Sequence, residues 1–275
     1  PVFLNGSYGG IINTRAMELS EMIRVEHPGI LTDEKTGRPS GLIRRSAFSL
    51  LAIPPKAEET AKERSEALEE LFHLYKSVGF TSVCSGGGTV AELETFEALQ
   101  KKDALTVRIF HNIRIPIDIK KSQEELTNEM KALELKTGDG DESVKAGAFK
   151  VVLDGGMLTG TAFLHEPWGV NAKDLYGIND PAYRGELMIS KQDLIKIIKA
   201  ADEAGWKFTA HVTGGAGVDT LLAAYEAVHR QRPIDEKGFS IIHGNFFTEE
   251  AIEKMATMGI YAAMQPAWFF KDTDL

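Results

Sequence analysis

The feature that most constrains the fold is an alternation of short apolar segments with amphipathic segments, which begins near residue 56. Six apolar segments have the length and composition of buried β-strands: 80–84, 106–115, 148–153, 207–212, 239–243 and 260–265. Segments with helical spacing lie between them, and glycines such as Gly205 and Gly259 end two of these. Strands that alternate with helices form parallel βαβ units, so the sequence predicts an α/β fold.

Two α/β architectures agree with this pattern. A (β/α)₈ barrel, the TIM barrel, needs eight strands, so this chain would supply about six of them and form an incomplete barrel. An open, doubly wound sheet fits six strands directly. Residues 1–55, with a helix predicted at 13–26 and a turn-rich stretch after it, are interpreted as an N-terminal insertion, and 56–275 as the partial barrel. An incomplete barrel has open edges, so we expect a longer natural protein or a partner chain to cover them.

The charge, the hydropathy and the cysteine count exclude several classes of protein. The 275 residues contain 31 Lys and Arg against 40 Asp and Glu, a net charge of −9, which is unfavourable for binding nucleic acid. No apolar run approaches the roughly 18 residues of a membrane span. The one cysteine, Cys84, excludes an internal disulfide and is predicted to be buried. A cytoplasmic location is favoured, although a secreted or periplasmic one stays open because the chain does not begin with Met, and a homo-oligomer stays open too.

The predicted strand ends carry the residues that could do chemistry. His211 and His243 end consecutive strands, and neutral imidazole is the commonest metal ligand in proteins. The alternative is that each is a hydrogen-bonded histidine of the core. Lys150 lies inside an apolar strand, where an ammonium group needs a partner or a chemical modification. Its alternative is a lysine whose head group reaches solvent at the sheet edge.

Two further segments are candidates for a functional role, one rich in glycine and one rich in glycine, proline and aromatic residues. Residues 214–217 read Gly-Gly-Ala-Gly between a strand and a helix, so they could bind a phosphate at the helix N-terminus or form a tight turn. Residues 157–188 form a long predicted loop that is rich in glycine, proline and aromatic residues. A loop of that length in a compact domain is usually functional.

Several of these segments resemble the amidohydrolase superfamily. The stretches that carry the resemblance are Lys-Val-Val-Leu-Asp-Gly-Gly at 150–156, His-Val-Thr-Gly at 211–214, Ile-His-Gly at 242–244 and Met-Gln-Pro at 264–266. The nearest group is the amidohydrolase 3 family, which includes the YtcJ-like proteins and the N-substituted formamide deformylases. Residues 1–4 and 13–16 resemble the insertion that follows the first barrel strand in that family. The resemblance covers nearly the whole chain.

This resemblance implies a metal-dependent hydrolase on a distorted (β/α)₈ barrel, with one or two divalent ions, and we expect zinc. The family holds its metals with a His-x-His pair on strand one, a strand-four lysine that is often carboxylated, histidines on strands five and six, and an aspartate on strand eight. Lys150, His211 and His243 match the middle three positions, so the resemblance makes them the metal ligands and catalytic residues. The other ligands would lie outside this chain.

The resemblance also implies hydrolysis of a carbon–nitrogen bond, in an amide, N-acyl or N-formyl small molecule, by metal-activated water. The residues that we expect to bind substrate are Asp154, His165, Trp168 and Gln265. The family motif His-Ala-Ile-Gly-Asp here reads His-Val-Thr-Gly-Gly at 211–215, and a family Gly-His stretch here reads Gly-Ser-Tyr at 6–8. The alternatives are a catalytically inactive fragment or binding module, and a doubly wound phosphate-binding enzyme.

Overall fold

The computed structural model describes residues 1–6, 8–52, 59–169 and 176–268, which form two separate β-sheets and seven α-helices. The strands of the smaller sheet are β1 (Phe3–Asn5), β2 (Gly9–Ile12), β3 (Ile30–Thr32) and β4 (Pro39–Arg44). Those of the larger sheet are β5 (Ser82–Gly88), β6 (Arg108–Ile113), β7 (Val144–Val152), β8 (Phe208–Val212), β9 (Ser240–His243) and β10 (Tyr261–Ala263). The helices are α1 (Thr14–Leu19), α2 (Ala61–Ser77), α3 (Val90–Lys101), α4 (Gln123–Lys131), α5 (Lys191–Glu203), α6 (Gly215–His229) and α7 (Glu249–Thr257). None of these described helices combines the length and hydropathy needed to cross a bilayer.

The larger sheet is parallel throughout, and its strands follow each other in chain order from β5 to β10. A doubly wound sheet reverses its strand order at a switch point, whereas consecutive order is that of a barrel wall. The predicted α/β fold with six parallel strands is therefore confirmed as part of an incomplete TIM-like barrel. The doubly wound alternative is wrong.

The alternation of side chains along β7 and β8 positions the site. Phe149 on β7 pairs in register with Phe208 on β8, and their rings lie 6.4 Å apart in the core against the helices. Because successive residues of a strand point to opposite faces, Lys150 projects to the other face, the interior of the barrel. His211 lies between Ala210 and Val212, which both belong to the helix-side core, so it projects to the interior as well. The pleat thus explains a lysine within an apolar strand.

One expectation about the interior face of the larger sheet, the burial of its cysteine, is wrong. Cys84, predicted to be buried, is exposed. It lies on β5, which is an edge strand of the six that the structure describes, so no further described strand covers it.

The N-terminal segment contains a sheet that the sequence did not predict. Its strands are antiparallel and lie in the order β1-β2-β4-β3. The helix expected at 13–26 is shorter: α1 begins after Asn13, whose side chain accepts a hydrogen bond from Ala16 N at 3.0 Å, and a 3₁₀ turn follows at Met22–Arg24. The predicted division at residue 55 stays a prediction, because residues 53–58 lie outside those described.

Candidate functional site

A cavity of about 320 Å³ opens at the carboxyl ends of β7, β8 and β9. Lys150, His211 and His243 all line it, so the structure brings together the three residues that the sequence proposes as ligands. Each comes from a different strand, as expected for the carboxyl-terminal face of a barrel. Tyr8 and Trp268 form part of the remaining wall.

The imidazole of His211 is held in one tautomer. Its Nε2 lies 2.9 Å from the carbonyl oxygen of Gly155, which can only accept, so Nε2 carries the proton. Nδ1 therefore has a free lone pair, and it accepts a hydrogen bond of 3.0 Å from the Tyr8 hydroxyl. Burial lowers the pKa of His211 to about 3, so the ring is neutral at neutral pH. A neutral imidazole whose second nitrogen is fixed by a carbonyl is the form that binds metals.

His243 is fixed in the opposite tautomer. Gln265 Nε2 donates to the carbonyl oxygen of Ala263 at 3.0 Å, which orients the amide so that its Oε1 accepts from His243 Nδ1 at 2.6 Å. The lone pair of His243 is therefore on Nε2. Burial lowers the pKa of this histidine also, which favours the neutral ring. The His211 and His243 rings lie 4.5 Å apart, nearly perpendicular at 77°.

The backbone of His243 has a left-handed conformation, with φ of 82°. This region is uncommon for residues other than glycine, and strain of this kind clusters at functional sites. The next residue, Gly244, also has a positive φ of 62°. The sharp turn at the end of β9 is part of what places the imidazole at the cavity.

Lys150 is a partly buried amine in a positively charged neighbourhood. Burial, and then the charge of Arg114, lower its pKa to about 8, whereas Cys84 acts in the opposite direction. No carboxylate of the described residues is among the groups that shift it. Gly87, with φ of 132°, packs directly on its stem, since an added Cβ would lie 2.5 Å from Lys150 Cδ. The site therefore holds an amine that is easily neutralised.

Asp154 joins three segments of chain beside the histidines. Its fully buried carboxylate accepts hydrogen bonds from the backbone N–H groups of Thr213 and Gly214, both at 2.8 Å, and of Phe163 at 3.0 Å. One oxygen lies 3.7 Å from His211 Nε2. Burial raises the pKa of Asp154 to about 6, although the three N–H groups favour the carboxylate. The same carboxylate accepts the backbone N–H groups of the turn before α6. Its negative charge therefore disfavours the binding of a phosphate at that helix N-terminus.

The other residues expected to bind substrate do not line this cavity. His165 Nε2 contacts Asp219 Oδ2 at 2.8 Å beside α6, on the surface. Trp168 donates its indole N–H to the carbonyl oxygen of Ala162 at 3.0 Å. Gln265 touches the site through His243. The role of Asp154, His165, Trp168 and Gln265 in substrate binding stays a prediction.

Two cavity residues were missed by the sequence analysis. Tyr8 stacks on His211 with ring centroids 4.7 Å apart, and burial raises its pKa to about 12, so the phenol keeps its proton. Trp268 stacks on His243 at 5.1 Å. The signal for Tyr8 was the departure from the family's Gly-His stretch at 6–8; Trp268 had no signal beyond its position three residues after Gln265.

The donor atoms at the cavity are compatible with a divalent metal, provided that Lys150 supplies a third donor. Within the described ranges, no group of three His, Cys, Asp or Glu side chains could hold a metal ion. The two imidazoles supply two lone pairs at the cavity, which is one donor short of the three protein ligands of most catalytic zinc sites. Lys150 lines the same cavity and could supply the missing donor only if its amine became an oxygen ligand.

A family model and two relatives match most of this chain. The model of a family described as "Amidohydrolase family" matches residues 7–275. The protein LONG AFTER FAR-RED 3 of Arabidopsis thaliana is 24% identical over 96% of this chain and 44% of its own length. The putative amidohydrolase YtcJ of Bacillus subtilis is 23% identical over 89% of this chain and 42% of its own length. The chain thus spans less than half the length of these relatives.

Solved structures show the same fold. An uncharacterized metal-dependent hydrolase from Pyrococcus furiosus superposes with a TM-score of 0.64 and 21% identity, over 99% of this chain and 52% of that protein. One from Pyrococcus horikoshii gives a TM-score of 0.65 and 18% identity, over 99% of this chain and 50% of that protein. At such identities the likeness concerns the fold.

Proposed function

We propose, from the premise that this chain belongs to the amidohydrolase family, that it forms the core of a metal-dependent hydrolase that cleaves carbon–nitrogen bonds in small amide, N-acyl or N-formyl substrates. The family membership confirms the resemblance noted in the sequence. The observation that carries the proposal is the convergence of Lys150, His211 and His243 on one cavity, with both histidines fixed in metal-binding tautomers.

In this proposal, Nδ1 of His211 and Nε2 of His243 hold a divalent ion, most simply zinc, and Lys150 completes the set in a carboxylated form. A bound metal supplies Lewis acidity and lowers the pKa of a water molecule to about 7. Gly155 and Gln265 accept the second ring N–H of each histidine and so fix the orientation of the ligands.

The environment of Lys150 favours its carboxylation. The neutral amine attacks carbon dioxide, and the resulting carbamic acid loses its proton to water, which leaves a carbamate anion. A pKa of about 8 makes the neutral amine accessible near neutral pH. The product replaces a cation beside Arg114 with an anion, which removes an unfavourable interaction and supplies oxygen donors.

Tyr8 has a separate role in the proposal. Its hydroxyl keeps its proton, because burial raises its pKa to about 12, and it now donates to His211 Nδ1. When that lone pair is used as a ligand, the hydroxyl is available to donate to a substrate carbonyl oxygen. Trp268, stacked on His243, restricts the rotation of that ring.

Substrate hydrolysis is the direct test. The full-length protein is assayed with N-formyl and N-acyl amines and with a phosphate monoester, before and after dialysis against a chelator. We expect the amides alone to be hydrolysed, about tenfold or more slowly after dialysis, with activity restored by zinc. Equal amide hydrolysis by metal-free protein would contradict the proposal, and a full-length protein that binds zinc without hydrolysing any amide would favour a binding module.

Carboxylation of Lys150 is tested by ¹³C NMR after incubation with ¹³C-bicarbonate. We expect a carbamate resonance in the wild-type protein and its loss in Lys150→Ala, together with about tenfold or greater weakening of zinc affinity. Lys145→Ala is the matched control, because Lys145 lies near the start of the same strand and does not line the cavity. Lys150→Ala with unchanged zinc affinity would exclude the lysine from the ligand set.

A further inference from the structure

A second cavity of about 320 Å³ lies between the small sheet and the loop that follows β7. It shares Gly6, Leu158 and Thr159 with the cavity that holds the histidines, so the two are adjacent and have a common wall. Each volume lies near the lower end of the range of about 300–1,000 Å³ that is typical of small-molecule sites.

The floor of this second cavity is one face of the small sheet. Ile11 pairs in register with Leu4 on β1 and with Leu42 on β4, so the three side chains lie side by side on the same face. Neighbouring residues on the strands, Ile12 and Ile43, point to the opposite face and pack in the core of the N-terminal segment. The sheet is therefore apolar on both faces, and one of them faces the cavity.

Three apolar residues of this cavity are widely exposed to solvent. Leu4, Ile11 and Leu158 are 62%, 51% and 53% exposed, although an antiparallel sheet usually presents polar side chains on its uncovered face. Contiguous exposed apolar surface of this kind marks a binding site more often than isolated exposed residues do.

Arg44 is the charged residue in the lining, and it does not require a charged ligand. Arg44 lies 3.8 Å from the carboxylate of Glu186, and its guanidinium lies over the ring of Tyr183 at 4.2 Å from the centroid. Its charge is thus already balanced and covered. Most of the other side chains that line the cavity are aliphatic, so contact with apolar groups is the main chemistry that it offers an occupant.

We infer that this second cavity binds an uncharged apolar substituent, an alkyl chain or aryl ring, carried by the amide whose carbon–nitrogen bond lies in the first cavity. The three shared lining residues place the two cavities side by side, as a ligand with one part in each requires. The inference rests on the proposed function for the identity of the reacting group. It adds the class of substrate, which is amides that carry an alkyl or aryl substituent.

The test measures binding without metal or turnover. Straight-chain primary amides from propanamide to octanamide are titrated into the full-length, metal-free protein by ligand-observed NMR. We expect the dissociation constant to fall about threefold for each added methylene until the cavity is filled. Ile11→Asp is expected to remove this dependence on chain length, and Ile11→Thr, which keeps a β-branched side chain on the strand, to weaken it.

Ile252→Asp is the matched control, because Ile252 is also exposed, at 55%, but lies on α7. We expect this variant to bind the series as the wild type does. Two results would overturn the inference. One is an affinity that does not depend on chain length, which is expected if another segment of the full-length protein covers this face. The other is an equal loss of the chain-length dependence in Ile252→Asp. Failure of the proposed function would instead appear as absent hydrolysis with the chain-length dependence intact.

Discussion

Replacing His211 and His243 together with alanine is expected to abolish stoichiometric zinc binding and to lower amide hydrolysis by about a thousandfold, or about 4 kcal/mol of transition-state stabilisation. The reason is that these two rings supply both imidazole lone pairs of the proposed metal site. Zinc is measured by elemental analysis of the purified full-length protein, and hydrolysis by kcat/KM with an N-acyl amine.

The control for this experiment is His73→Ala, since His73 is exposed on α2. We expect it to retain zinc and activity. Thermal unfolding of the double variant separates loss of metal from loss of fold, because both rings lie at strand ends rather than in the helix-side core. A double variant that keeps one zinc per chain would remove the imidazoles from the proposed site.

Asp154→Ala is expected to destabilise the fold by about 3–5 kcal/mol, because it leaves three backbone N–H groups, two of them buried, without their acceptor. The total stability of a domain is about 5–15 kcal/mol, so the loss would be a large part of it. The free energy of unfolding is measured by urea titration of the metal-free protein, which keeps metal binding out of the comparison.

Two variants define what Asp154 does. Asp154→Asn keeps an acceptor oxygen and is expected to lose less stability than Asp154→Ala. Asp219→Ala is the control, because that side chain is 45% exposed, and its expected effect is within about 0.5 kcal/mol. If Asp154→Ala unfolds at the same urea concentration as the wild type, the carboxylate does not secure the chain around the site.

The parallel sheet was predictable because its strands lie in apolar segments between amphipathic helices. The strand expected at 207–212 is observed at Phe208–Val212, and the one expected at 239–243 at Ser240–His243. β7 starts at Val144, earlier than the expected 148, because Lys145 and Gly147 interrupt the apolar run that a sequence pattern recognises.

The small sheet was not predictable from the same signals. β1, β2 and β3 have three or four residues each, too few for alternation to be distinguished from chance. The same sheet brings Tyr8 to His211, a contact between residues 203 positions apart. Local pattern identified the candidate ligands on β7, β8 and β9, whereas the parts of the cavity contributed by distant segments needed the structure.

The pleat of β7 has a consequence for how this protein can evolve. Between its paired positions Ala146 and Phe149, β7 has one residue more than β6, and both of these residues nevertheless lie in the helix-side core. A strand that takes up an extra residue as a bulge keeps Phe149 in the core and the Lys150 amine at the cavity, so we expect single-residue changes in length to be tolerated at 147–148 and not between Phe149 and Lys150.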